Sequence, residues 1–187
     1  MTPILKRELR RALGKFPTGV AIITSRDPLG KPFGLTVNSF TSVSLDPPLI
    51  LWCLRRESKS LERFKRCEFF AAHVLATDQA GLSSQFAKGL AEPFEGLSPT
   101  IGLGGVPLLE GVCARLECQN AQQIDGGDHI IFVGQVERFK IQDRNPLLYY
   151  QGAYCDLVRE DQQGGEDIYP AHLCGQSSFP SIGLPWG

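Results

Sequence analysis

The segment Gly34-Leu-Thr-Val-Asn-Ser-Phe-Thr-Ser-Val-Ser-Leu-Asp-Pro-Pro48 decides how the rest of the chain is read. As one extended strand it sends Leu35, Val37, Val43 and Leu45 to one side and Thr36, Asn38, Phe40, Ser42 and Ser44 to the other, because side chains alternate along β-structure. A solvated outer face would carry Lys and Glu. This one carries short hydroxyls and an amide, which leave room for a flat polar ligand against the strand. An ordinary Ser/Thr-rich edge strand is the other reading of the same residues.

Upstream, Thr18 to Ser25 is short and β-branched, and Arg26 to Pro32 holds the turn formers Asp27-Pro28 and Gly30, so the two runs form a hairpin. Before it, Thr2-Pro3 opens a helix in which Ile4, Leu5, Leu9, Ala12, Leu13 and Phe16 recur at helical spacing, with Gly14 placed for a left-handed end. Downstream, Pro47 and Pro48 break the ladder, and Leu49 to Leu54 is apolar on both faces, as a central strand requires. The following turn, Arg55-Arg56-Glu57-Ser58-Lys59-Ser60, runs into a helix. Free N–H groups there, with Ser58, Ser60 and the cations, are the parts of an anion site. A Ser cap among solvated arginines uses the same residues.

Phe69 to Ala76 reads as a buried strand, and Thr77-Asp78 as the cap of a helix carrying Leu82 and Phe86. Ala91 to Val106 is rich in Gly and Pro without periodicity and reads as a loop. Val112, Ala114, Leu116 and Cys118 alternate with polar neighbours, Asp125-Gly-Gly-Asp128 turns the chain, and His129 to Ile141 returns as a second hairpin. His129 stands at its rim, as a structural or a functional histidine. Many strands, few helices and no βαβ rhythm make the chain mainly β, a barrel or sandwich.

The totals exclude several classes. A chain of 187 residues is the size of one domain. With 19 Lys and Arg against 20 Asp and Glu, it lacks the broad basic surface of a nucleic-acid or anionic-membrane binder. Its apolar runs are too short for a membrane span and Met1 to Arg11 lacks a signal-peptide core, so a cytoplasmic protein is expected. The six cysteines show no zinc spacing and no disulfide density, and free buried thiols are expected, with Cys53 or Cys118 as the ones that could lie near a redox centre. His172 and Cys174 have no partners at ligand spacing, so no metal site is expected.

Five pieces together resemble the short-chain flavin reductases with an FMN-binding split-barrel fold. They are Phe16-Pro-Thr-Gly-Val20, Thr36 to Pro48, Ser58-Lys-Ser60, Leu82-Ser-Ser-Gln-Phe-Ala87 and Gly127-Asp-His-Ile-Ile-Phe-Val-Gly134, in the family's order and approximate spacing. The resemblance covers roughly Leu9 to Tyr154. It implies a mainly β, six-stranded antiparallel split barrel of Greek-key type with a few flanking helices, spanning 1–156, and a homodimer. The activity it implies is hydride transfer from NADH or NADPH to FMN or FAD, with reduced flavin passed to a partner monooxygenase.

The resemblance also assigns residues. Thr36, Val37, Asn38 and Ser39 would contact the flavin ring and ribityl chain, Arg55, Arg56, Ser58 and Ser60 would take the phosphate, and Leu54 would be a further cofactor-binding residue. Ser84, Gln85 and Phe86 would approach the flavin, and His129 would be the catalytic residue beside the nicotinamide. His73 departs from the small polar residue expected at its position, and is either a further polar contact or a core histidine. The extension at 157–187 has no counterpart and is expected to be an arm or tail.

Two further readings stand beside the reductase. A flavoprotein with tightly bound FMN could pass electrons to ferric complexes, and a flavin-binding module could have no activity, since a fold does not fix chemistry. NADH consumption that depends on free flavin separates the first from both.

Overall fold

Residues 38–40 split the organising segment into two separate strands, and that break sets the order of the main sheet; the turn at 46–47 divides the second of them from the strand that begins at Pro48. The computed structural model describes residues 2–89 and 92–157. Helix α1 (Pro3–Leu13) is followed by β1 (Thr18–Gly19), β2 (Ala21–Arg26), β3 (Pro32–Val37), β4 (Thr41–Leu45) and β5 (Pro48–Arg55). Then come α2 (Leu61–Arg66), β6 (Phe69–Val74), α3 (Ala80–Ala87), and the short strands β7 (Thr100–Ile101) and β8 (Pro107–Leu108). The long hairpin β9 (Ala114–Gly126) and β10 (His129–Ile141) precedes β11 (Leu148–Tyr150) and β12 (Ala153–Cys155).

Seven strands form the main sheet in the order β3-β2-β6-β9-β10-β5-β4, all paired antiparallel. Strands β3 and β4 are therefore its two edges. Laid flat, six inter-strand spacings would hold those edges about 29 Å apart. Residues 38–40 alone connect them, and four Cα steps reach at most about 15 Å. The sheet must curl until its borders approach at this corner. No ladder joins β3 to β4 among the described residues, so the sheet is rolled but not closed, and it has seven strands where six were expected because the organising segment supplies two of them.

The corner has a visible cause. The Cys53 N–H donates to Ser39 Oγ at 2.9 Å, and the Ser39 hydroxyl donates back to the Cys53 carbonyl at 3.3 Å. A side chain thus takes the place of a ladder partner for β5, and the neighbouring strand starts late. Phe40, expected on the polar side, packs against the core instead, while Leu45, expected on the apolar side, is exposed. Alternation fails across the corner because the two halves no longer share one pleat.

Inside the curl, Trp52 and Phe132 face each other across the β5–β10 ladder and stack with ring centroids 4.5 Å apart. Phe64 of α2 meets both rings edge-on, and Phe33 and Phe70 complete the cluster. Such aromatic pairs add about 1 kcal/mol each beyond the area they bury.

His73 is fully buried in β6. The Leu109 N–H donates to Nε2 at 3.1 Å, so Nδ1 carries the proton and donates to the Ile22 carbonyl, also at 3.1 Å. Burial drives the imidazole pKa down to about 4, and the ring stays neutral. Of the two expectations for His73, the core histidine is the one observed.

Thr2 caps α1 as expected, accepting the Leu5 N–H at 3.3 Å. Gly14 does not end it in the left-handed region; its φ is −68°. No residue of α1 is buried, and Ile4, Leu5, Leu9 and Leu13 are exposed.

Candidate active site

Edge strand β3 leaves one row of backbone N–H and C=O groups without a ladder partner, and the cavity forms against that row. Its volume is about 880 Å³. Residues 33–39 make one wall, the end of β5 and the turn into α2 a second, and Phe86 of α3 and His129 at the start of β10 close the sides. Gly34 keeps the first wall thin: a Cβ there would come within 2.8 Å of the Ile23 carbonyl oxygen and 3.0 Å of the Phe86 ring.

The residues expected from the sequence behave differently from one another. Thr36, Val37, Asn38 and Ser39 all line the cavity. Thr36 donates its hydroxyl hydrogen to the Ser83 carbonyl at 2.7 Å, which ties α3 to β3 and leaves only the oxygen lone pairs for a ligand. Val37 turns its side chain into the core. Ser39 is engaged with Cys53 as described. Asn38 is exposed, and its amide has no partner among the described residues.

Leu54 has its side chain in the core, and Arg55, Ser58 and Ser60 line the second wall with Lys59. Ser58 accepts the Ser60 N–H at 3.3 Å and so keeps its own proton for donation. Neither Arg55 nor Lys59 forms an ion pair among the described residues, whereas Arg63, also in the wall, pairs with Asp27 and stacks on Phe33.

Three expected residues stand apart from the cavity. Arg56 points the other way, its guanidinium donating to Gly127 O at 2.8 Å and to Asp125 Oδ1 at 2.5 Å, because it lies in the turn past the end of β5, within reach of the β9–β10 turn. Ser84 does not reach the lining. Gln85 braces the neighbouring loop, donating to the Pro93 and Glu95 carbonyls. Of that trio only Phe86 lines the cavity.

His129 Nδ1 lies 2.7 Å from Asp128 Oδ1. That hydrogen bond, with the imidazole's charge, holds the exposed Asp128 carboxyl below its ordinary range. With Nδ1 turned to Asp128, Nε2 is the nitrogen available to a ligand. The sequence reading gave no role to Phe33, Glu57, Ala87, Gly89 or Pro93, which also line the cavity. Alternation along β3 puts Phe33 with Leu35 and Val37 on the apolar side, so the pattern carries no signal for it, and Gly89 and Pro93 are brought to the cavity by tertiary packing alone. Cys53 lines the cavity and burial pushes its thiol up, whereas Cys118 lies in the core with its thiol pushed up to about 12.

A cavity of this size falls in the range that takes one cofactor-sized molecule. Two unpaired cations, hydroxyl donors and turn N–H groups at one end, with an amide and an open strand edge at the other, fit a planar polar ring with an anionic tail. Among the described residues no group of side chains is arranged to hold a metal ion.

Comparison with known proteins agrees with that fit. A family model described as "Flavin reductase like domain" matches residues 13–158. The chain is 45% identical over 154 residues to the FMN reductase (NADH) SmoA of Agrobacterium fabrum, a match covering 82% of this chain and 87% of that protein. It is 41% identical over 148 residues to the stachydrine N-demethylase reductase subunit Stc3 of Rhizobium meliloti, covering 79% and 64%. It spans about half of some other curated relatives, 48% of their length. The NADH:FAD oxidoreductase SgcE6 of Streptomyces globisporus, solved with NAD and FAD fragments, superposes with a TM-score of 0.79 at 34% identity, covering 86% of this chain and 97% of that one.

Proposed function

The chain belongs to the family of flavin reductase-like domains, and from that premise we propose that it moves a hydride from NADH or NADPH to FMN or FAD and supplies the reduced flavin to a partner monooxygenase. The observation that carries this reading is the convergence of Thr36 to Ser39, Arg55, Ser58 to Ser60 and His129 on one cavity. The FMN reductase and NADH:FAD oxidoreductase relatives support an oxidoreductase that works with NADH, and the Stc3 relationship supports a monooxygenase partner.

The flavin supplies the two-electron acceptor, and the protein's share is to bind and orient. The open edge of β3 and the Asn38 amide would hold the ring's polar rim, and Arg55, Ser58, Lys59 and Ser60 the phosphate. Asp128 fixes the His129 tautomer, so that Nε2 meets the incoming nicotinamide from the far side. No acid or base with a shifted pKa is required, because two rings held at contact distance already supply most of the advantage.

The rolled sheet is read as a split barrel on the same grounds. A homodimer belongs to this proposal, the exposed apolar side of α1 being a surface that a second copy would cover. So does a cytoplasmic location; no helix among the described residues is long and apolar enough to cross a membrane. The test is an anaerobic titration scanning both flavins and both nicotinamides. Rapid NADH consumption that depends on added flavin is expected, and a flavin that stays oxidised in excess NADH and NADPH overturns the reading.

A further inference from the structure

The cations at one end of the cavity are held in two different ways. Arg55 and Lys59 are exposed and have no ion-pair partner among the described residues, so no carboxylate fixes either of them. Arg63 is gripped on two sides. Its guanidinium carbon stands 3.9 Å over the centre of the Phe33 ring, and Nη2 donates to Asp27 Oδ2 at 3.1 Å. Phe33 in turn meets Phe64 edge-on with ring centroids 4.7 Å apart, and the burial of Leu61 and Phe64 fixes the turn of α2 that carries Arg63.

Asp27 is equally fixed. Its other oxygen, Oδ1, accepts the Leu29 N–H at 3.1 Å and the Lys31 N–H at 2.9 Å, which shapes the turn between β2 and β3. Asp27 does not line the first cavity. It lines a second one, of about 400 Å³, so the ion pair bridges the walls of the two. With side chains only 17% and 32% exposed, Asp27 and Arg63 are sheltered enough for the pair to hold its geometry.

A guanidinium carries five N–H groups in one rigid plane. Asp27 engages a single nitrogen, and Nε and Nη1 have no partner among the described residues, although Arg63 lines the first cavity. The neighbouring carboxylate cancels much of the cation's long-range attraction but leaves its directed donors. Donors fixed in a plane suit an anion recognised by shape, as a phosphate is.

We infer that Arg63 is a further ligand-binding residue, which donates to the flavin's phosphate, and that Asp27 is the positioning residue that aims its guanidinium from outside the cavity. The inference rests on reading the first cavity as the flavin site. Arg55 and Lys59 then supply charge, and Arg63 supplies direction.

The test is a fluorescence titration of FMN and of riboflavin into the full chain and the variants R63A, R63K, D27N and D27N/R63A. R63A raises the FMN Kd about tenfold and leaves riboflavin, which has no phosphate, within about twofold. That loss persists at about 0.5 M salt, where the contribution of exposed charge is screened. R63K restores little of it, because one ammonium cannot grip Asp27, lie flat on Phe33 and donate to a phosphate together. D27N keeps an acceptor for the turn and removes the charge that holds Arg63. The FMN Kd rises about fourfold, and the rise vanishes when Arg63 is already alanine. The inference is overturned if R63A or R63K binds FMN as the unsubstituted chain does, or if salt abolishes the R63A loss. It is equally overturned if D27N tightens FMN, leaves it unchanged, or weakens it by the same factor without Arg63, and if riboflavin loosens in step with FMN. An unsubstituted chain that binds neither ligand would instead sink the reading of the first cavity itself.

Discussion

Arg55 and His129 are directly opposite each other in the antiparallel β5–β10 ladder, and both line the first cavity. Cross-strand partners leave the sheet on one face. The cation at the phosphate end and the imidazole at the nicotinamide side are therefore held at a fixed separation by the sheet itself, and each can be removed without the other.

His129→Ala is expected to lower kcat/KM for NADH by at least about fivefold, with flavin affinity nearly unchanged, because the ring orients a partner and does not hold the flavin. Steady-state kinetics beside a flavin fluorescence titration measure the two. Unaltered kinetics would remove His129 from the site.

Arg55→Ala is expected to weaken FMN by about tenfold and leave riboflavin, which has no phosphate, almost unaffected, as befits loss of a charge-assisted contact. Equal loss for both ligands would place Arg55 against the ring instead.

The His73 pKa is depressed on folding from 6.5 to about 4. Between those values the unfolded chain binds a proton that the folded chain refuses, so this group's contribution is full above pH 6.5 and disappears as pH falls to about 4. The amount is on the order of 3 kcal/mol. His73→Leu also strands the Ile22 carbonyl and the Leu109 N–H, at a cost of about 3 kcal/mol near neutrality. Urea unfolding at pH 7 and at pH 4.5 should show the gap between the two proteins narrowing in acid. A gap that is the same at both pH values would mean another group titrates.

Gly34→Ala should destabilise by about 2 kcal/mol and loosen flavin binding, since the new methyl must push β3 or Phe86 aside. Differential unfolding midpoints with and without FMN measure both effects, and an unchanged midpoint would show that the wall yields freely.

What was legible in the sequence is what depends on neighbours in the chain. The hairpin of β9 and β10 follows from alternation around Gly126-Gly127, and that of β2 and β3 from Asp27-Pro28 and Gly30. The organising segment was misread as one strand because Ser39 takes its partner from Cys53, fourteen residues away. Arg56 looked equivalent to Arg55 by composition, but it lies in the turn past the end of β5, where Gly127 and Asp125 take up its guanidinium. Ser84 and Gln85 were expected with Phe86, yet a helix presents one of three consecutive residues to a given wall. The partners of His73 lie 51 and 36 residues distant, beyond the reach of any local pattern.

Residues 38–40 stitch together the two free borders of the sheet, and two of them, Asn38 and Ser39, at the same time face the ligand space. For this protein, occupancy and resistance to heat are thereby two readings of a single equilibrium: flavin at a hundred times its Kd adds about 2.7 kcal/mol against melting. A polypeptide nicked at this clasp would lose its grip on the ligand and its rolled shape in the same step.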